Sequence, residues 1–123
     1  MRPVLAFAPD AVEVRFPGAA ALVAAKRRAR LPYAAIVGAE VAAPRWPHWL
    51  LVARAGTCVR GVFAAGTFVS TKERRLLWFG KRDARVLTLR LARDRGSWYD
   101  EVSLAVQDPD AALRELELRA AKR

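Results

Sequence analysis

Side chains able to do chemistry are scarce in this 123-residue chain, which has one histidine, His48, and one cysteine, Cys58. A metal centre usually draws three or four ligands from the protein, and no His, Cys and carboxylate cluster occurs at such spacing. The serines Ser70, Ser97 and Ser103 lie outside any nucleophile-elbow context, and there is no glycine-rich phosphate loop. The carboxylates mostly sit beside arginines, as in Glu73-Arg74, Asp83 with Arg82 and Arg85, and Asp94 with Arg93 and Arg95. That is the pattern of solvated, ion-paired turns. The sequence therefore predicts neither catalysis nor a metal or other cofactor, and implies no small-molecule substrate.

What the chain has in excess is positive charge. Lysine and arginine total 22 against 12 acidic residues, a net charge of +10, with arginine outnumbering lysine 18 to 4. A field of that size attracts anionic partners. The charge gathers in two clusters, Lys26, Arg27, Arg28 and Arg30, then Lys72, Arg74 and Arg75 with Lys81 and Arg82. On one common face they would form a footprint for phosphates, and near an anionic membrane each cation adds ~1 kcal/mol. Against this, strand alternation sends Arg27 and Arg28 to opposite faces, as in an ordinary solvated surface. A second candidate is the loop Arg45-Trp46-Pro47-His48-Trp49, whose Arg45, Trp46 and Trp49 suit a lipid interface, a base or a protein partner. The competing reading folds Trp46 or Trp49 back over the sheet, because large aromatics are mostly buried.

The elements that must position these residues are largely strands. Ala11 to Phe16 alternates apolar and charged with the period of a half-buried strand. Ala19 to Ala25 suits one or two turns of helix, Arg27 to Leu31 reads as a strand ended by Pro32, with continuation of the helix through Arg30 as the alternative, and Val37 to Ala43 reads as the next strand. Leu50 to Ala53 is either a short strand or loop, and Gly56 and Gly61 punctuate a weakly defined stretch. Val62 to Ser70 reads as a strand with a bulge or bend at Gly66. Leu76-Leu77-Trp78-Phe79, a strand from Val86 to Leu91, and a third from Trp98 to Val106 come next. The polar connections at 81–84 and 93–97 suggest two hairpins and hence an antiparallel meander. In the third strand Trp98 shares a face with Val102, Leu104 and Val106, which places Trp98 and Trp78 in the core. Asp108 is a good N-cap, with Pro109 and Asp110 behind it, and Leu113, Leu116 and Ala120 form a helical stripe.

Several local matches, in order along the chain, resemble the small bacterial pleckstrin-homology-like domains. They are Arg30-Leu31-Pro32 leading through Ile36 into the 37–41 strand, Gly66-Thr67-Phe68, Leu77-Trp78-Phe79, and Tyr99-Asp100-Glu101-Val102 running on to Asp108-Pro109 and the last helix. The resemblance implies an α+β fold, a bent antiparallel sheet or partly open barrel of about seven strands, capped by one C-terminal helix. The expected organisation is one domain over residues 1–123, strand-rich from 11 to 107 with the capping helix at 108–121. Relatives that bind phosphoinositides carry a basic cluster around the first hairpin loop; here only Arg15 adjoins Phe16-Pro17-Gly18-Ala19, so no such site is implied.

One cysteine permits no internal disulfide, which suits a reducing compartment. The apolar stretch before Ala6-Phe7-Ala8 is too short for a signal peptide, and no run reaches the ~18 residues of a spanning helix. The expected protein is a cytoplasmic, non-enzymatic binding domain, peripheral at the inner membrane face where it meets lipid. Its expected partner is an acidic protein or an anionic lipid surface, with nucleic acid or a second copy of itself as the alternatives.

Overall fold

The computed structural model describes residues 2–47, 52–59 and 61–121. Among these lie nine strands and two α-helices. The first three strands, β1 (Val4–Phe7), β2 (Ala11–Arg15) and β3 (Arg28–Pro32), form one antiparallel sheet in the order β1-β2-β3. Between β2 and β3 sits the short helix α1 (Ala19–Ala24). The other six strands, β4 (Ile36–Ala42), β5 (Val52–Val59), β6 (Phe63–Val69), β7 (Arg74–Gly80), β8 (Val86–Leu91) and β9 (Glu101–Leu104), form a second sheet in the order β4-β8-β9-β7-β6-β5. The helix α2 (Pro109–Ala121) closes the chain.

The strand count exceeds the expected seven. Part of the excess is β1, whose Val4-Leu5-Ala6-Phe7 has no alternation to mark it. The rest is the eight-residue β5, where sequence suggests only a short strand or loop. A second correction concerns connectivity. The segments 74–79 and 86–91 are not a hairpin, because β9 lies between them, antiparallel to β8 and parallel to β7. The five-residue connection 81–85 is long enough to bridge two strand spacings, ~9.6 Å, and so leaves a slot for a third strand. β9 suits that slot because residues 102 to 106 are all buried, the continuous burial of a strand covered on both faces. The sheet is therefore mixed rather than wholly antiparallel.

One core fills the space between the two sheets. Val12, Val14, Ala29 and Leu31 of the small sheet meet Leu76, Leu87, Leu89, Val102 and Leu104 of the large one. The alternating Leu87, Leu89 and Leu91 face inward as their spacing requires, and α2 inserts Leu116, 1 % exposed, into the same core. Asp108 caps α2 as expected, its Oδ1 accepting from the Ala111 amide at 3.1 Å. A smaller cluster of Ala64, Phe68, Leu77, Phe79, Val86 and Ala105 covers the outer face of the large sheet, with Trp46 packed on it.

Two backbone features of the large sheet shape the surface beside α1. The register of β5 against β6 slips between Ala53 and Ala55, leaving Arg54 as an extra residue. The expected irregularity at Gly66 is thus displaced to the opposite strand, and Gly66 itself pairs in register with Gly56 and Leu77. Gly66 serves a different purpose. At φ 122°, a Cβ there would lie 2.2 Å from the Ala55 carbonyl oxygen and 2.9 Å from that of Ala24. Only glycine lets the end of α1 settle this closely onto β6.

Candidate functional site

At the end of α1 the chain turns through Ala25, the one non-glycine residue with positive φ among those described, at 54°. The Ala25 amide donates to Leu22 O and the Lys26 amide to Ala21 O at 3.0 Å, a Schellman-type closure. This fixes where Lys26 leaves the helix. Across from it, the β5 bulge turns both Arg54 and Ala55 toward the side occupied by Thr67, the re-aiming that bulges commonly perform. A third wall is the 96–100 segment. There the Ser97 hydroxyl donates to Tyr99 O at 2.8 Å and accepts from the Tyr99 amide at 3.1 Å. Asp100 then locks the segment to β7, its Oδ2 accepting from the Arg74 amide at 2.8 Å.

That serine turn overturns the expectation for Trp98. β9 begins only at Glu101, so the alternation does not reach back to residue 98; Tyr99 turns inward and Trp98 outward, 41 % exposed. Trp78, by contrast, packs against the core with its ring 5.7 Å from that of Phe16.

Together these walls enclose a recess of about 240 Å³ lined by Ala25, Lys26, Arg54, Ala55, Thr67, Trp98 and Tyr99. Two guanidinium groups lie over the Trp98 ring, Arg74 at 4.4 Å and Arg54 at 5.3 Å, and the Lys26 ammonium lies 5.8 Å from the Tyr99 ring. Such contacts hold cations in place at ~0.5–1 kcal/mol each when exposed. At the floor, Thr67 Oγ1 and Tyr99 Oη form a buried hydrogen bond of 3.1 Å. Among the described residues no carboxylate pairs with Lys26, Arg54 or Arg74; Glu73, beside Arg74 in sequence, pairs with Arg45 at 3.2 Å, and Asp100, beside Tyr99, with Arg93 at 3.0 Å.

Beside the recess, and sharing Ala25 and Lys26 with it, is a broader concavity of about 660 Å³ bounded by Phe16, Ala21, Leu22 and Arg27. Leu22 projects from α1 at 83 % exposure, the most exposed large apolar side chain among those described. Arg27 also lacks a carboxylate partner there. One face thus carries Leu22, Trp98 and the cations Lys26, Arg27, Arg54 and Arg74.

The basic residues singled out by sequence are distributed differently from expectation. Lys26 and Arg74 come together at the recess, with Arg27 beside them. Arg28 and Arg30 point to the solvent side of β3 but pair with Glu13 and Asp10 respectively. Lys72 is exposed in the turn before β7, and Lys81 and Arg82 in the turn after it. Six steps of ~3.3 Å along β7 put that second turn roughly 20 Å from Arg74, so the two clusters do not form one patch.

Arg75 is no surface residue: its side chain is 0 % exposed. Alternation sends it to the opposite side of β7 from Arg74, where Nε donates to Glu101 Oε1 at 3.1 Å and Nη2 to Arg45 O at 2.7 Å. Arg45 in turn pairs with Glu101 at 3.0 Å and Glu73 at 3.2 Å. Burial pushes the Glu101 carboxyl up, but the Arg75 charge and the Arg45 hydrogen bond outweigh it and hold the group below its ordinary value. Burial likewise lowers Arg75 despite the attraction of Glu101. Among the described residues Nη1 of Arg75 has no hydrogen-bond partner. Of the aromatic loop, Trp46 folds back edge-on against Phe79, ring centres 5.0 Å apart, while Trp49 and His48 lie outside the described residues.

Sequence reasoning missed Arg54, Thr67, Trp98 and Tyr99. Ser97, two residues before Tyr99, was the available sign that a hydroxyl-bonded turn interrupts the strand pattern. Nothing local marks Arg54, whose direction depends on a bulge set by the pairing of β5 with β6.

Compared with known proteins, the chain matches no family model, no curated protein and no solved structure. Among the described residues no helix is long and apolar enough to cross a membrane, and no group of three His, Cys, Asp or Glu is placed to hold a metal ion.

Proposed function

We propose that the protein is a non-catalytic binding domain that docks on an anionic membrane surface through the face built around the recess. The observation that carries this is the combination on that face: Leu22 at 83 % exposure beside four cations without carboxylate partners among the described residues. A nucleic acid would be held by the same cations but would have no use for an exposed leucine on a short helix, whereas the acyl boundary of an anionic bilayer takes up both. The half-exposed Trp98, with an apolar ring and a polar edge, suits the headgroup layer. The resemblance to pleckstrin-homology-like scaffolds is kept as a proposal of kinship, supported by a sheet closed with one C-terminal helix and weakened by the parallel pair of β7 and β9.

Four cations at ~1 kcal/mol each and burial of one leucine at ~2 kcal/mol sum to about 6 kcal/mol. That corresponds to dissociation constants in the tens of micromolar, a reversible association that weakens as salt shortens the ~8 Å screening length. The test is flotation with phosphatidylglycerol vesicles against phosphatidylcholine vesicles. Binding to the first alone, weakened by Leu22→Ser, is expected. Equal binding to both, or none to either, overturns the reading. Duplex DNA in the same buffer separates the alternative: if DNA competes fully and Leu22→Ser changes nothing, the face serves nucleic acid instead.

A further inference from the structure

We infer that the recess beside Trp98 is a receptor for a single phosphate monoester. Its side chains are donors almost throughout. Lys26 and Arg54 have donors and no acceptors, and the Trp98 indole can only donate. The floor carries two hydroxyls, Thr67 Oγ1 and Tyr99 Oη, whose one mutual bond of 3.1 Å consumes one of their two hydrogens. Neither oxygen has another partner among the described residues. Whichever hydroxyl accepts that bond therefore keeps a hydrogen that no described protein atom receives and that is free to meet a ligand in the recess. A lining of this kind asks for a ligand group that only accepts.

Charge narrows the choice. Lys26 and Arg54 line the recess, Arg74 backs the Trp98 ring, and none of the three is ion-paired with a side-chain carboxylate among the described residues. A monoester carries about −1.5 to −2 charges and three terminal oxygens at neutral pH, enough to meet both lining cations and the floor hydroxyl together. A diester brings one charge and two such oxygens. Size agrees: 240 Å³ is room for about eight waters at ~30 Å³ each, below the ~300 Å³ at which pockets for larger ligands begin. The recess takes a headgroup rather than a whole cofactor. The inference rests on the membrane reading only for the source of the phosphate, which is either a lipid headgroup such as that of phosphatidic acid or a soluble monoester.

The experiment has two arms, each with the full chain. In solution, sn-glycerol 3-phosphate and dimethyl phosphate are titrated while the Trp98 indole and Thr67 amide NMR signals are followed. On membranes, vesicles of phosphatidic acid and of phosphatidylglycerol are compared at matched surface potential. The monoester is expected to win by about tenfold or more in at least one arm, the scale of one charge-assisted hydrogen bond. The arm that shows the preference identifies the source. Arg54→Gln should remove it. So should Thr67→Val/Tyr99→Phe, which deletes both hydroxyls together and so strands no buried partner. That double variant should still float with phosphatidylglycerol. Loss of phosphatidylglycerol binding by the native chain refutes the membrane reading and leaves the solution arm to decide the pocket. No preference in either arm, or a preference that survives both variants, refutes the pocket.

Discussion

Arg74 and Arg75 are neighbours in sequence and opposites in circumstance. Arg74 lies against Trp98 at the recess, one of several cations with no acidic partner among the described residues. Arg75, one residue on and one strand face over, is fully buried among Glu101, the Arg45 carbonyl and, through Arg45, Glu73. The identical side chain is structural in one place and available to a ligand in the other. What separates them is the supply of acceptors. On the outer face two carboxylates answer two guanidinium groups, whereas on the recess side Asp100 is turned to the Arg74 backbone and to Arg93. A net charge of +10 thus says little about where anions bind. The unpaired remainder, and the apolar groups beside it, say more.

Breaking the buried side of this comparison should have the largest effect. Arg75→Met leaves Glu101 half-buried without its main counter-charge, and losing one partner of a buried pair costs ~3–5 kcal/mol. Because Arg45 still reaches Glu101, the lower end, about 3 kcal/mol by urea denaturation, is expected, with vesicle binding unchanged in the variant that remains folded. The double variant Arg75→Met/Glu101→Met should be more stable than the single. If both variants unfold at the native midpoint, Arg75 is not held by this pair.

Acid titration probes the same pair more gently. Glu101 sits below its ordinary value of 4.5 in the folded state, so it binds protons more readily when unfolded. Its contribution is complete above that value and is lost as pH falls through the lower folded one. Glu13 and Asp110 are also lowered by their arginine partners, so the native chain and Glu101→Gln will both weaken in acid. The native chain should show the steeper decline below pH 4.5. Parallel curves would mean that Glu101 contributes nothing to the slope.

The recess should be breakable at much smaller structural cost. Trp98→Ala removes two exposed cation–π contacts and part of an apolar ring, about 1 kcal/mol of stability, yet it strips the wall that orders Arg54 and Arg74. Flotation on phosphatidylglycerol should fall while the thermal midpoint moves only a few degrees. A large loss of stability with intact flotation would place Trp98 in the architecture, as its sequence pattern suggests.

The two regions also differ in how much of them can be read from the sequence. Strand and helix patterns at 11–16, 27–31, 86–91 and 108–121 are legible because each alternation or cap is local, although β3 starts one residue later and takes in Pro32. The place of β9 is not, since its slot depends on a connection spanning two strands rather than on any residue within it. Arg75 reads as surface because a charged residue in a cluster is usually solvated, and only its cross-strand neighbour Glu101, 26 residues away, makes burial tolerable. The recess is half legible. Lys26 and Arg74 are in view, but Arg54 is aimed by a bulge and Trp98 by a three-residue hydroxyl turn, both of which act against the alternation that serves elsewhere.

Ala25 gives the smallest and most selective test. Its left-handed backbone costs an alanine roughly 1–2 kcal/mol, and glycine adopts it freely. Glycine also gains freedom in the unfolded chain worth ~0.5–1 kcal/mol. Ala25→Gly should therefore stabilise the protein by only about 0.5 kcal/mol net, read from urea midpoints. The more telling readout is binding. If the strained turn only closes α1, monoester and vesicle affinities will match the native chain. If the alanine holds Lys26 at the rim, the glycine variant will be slightly more stable and bind more weakly, because a looser turn must order Lys26 again at each encounter. Strain kept at a site in exchange for a fixed cation would set the recess apart from the buried pair, where hydrogen bonds and ion pairs to Glu101 and the Arg45 carbonyl hold the geometry. A glycine variant that is both more stable and equally tight in binding would remove that distinction.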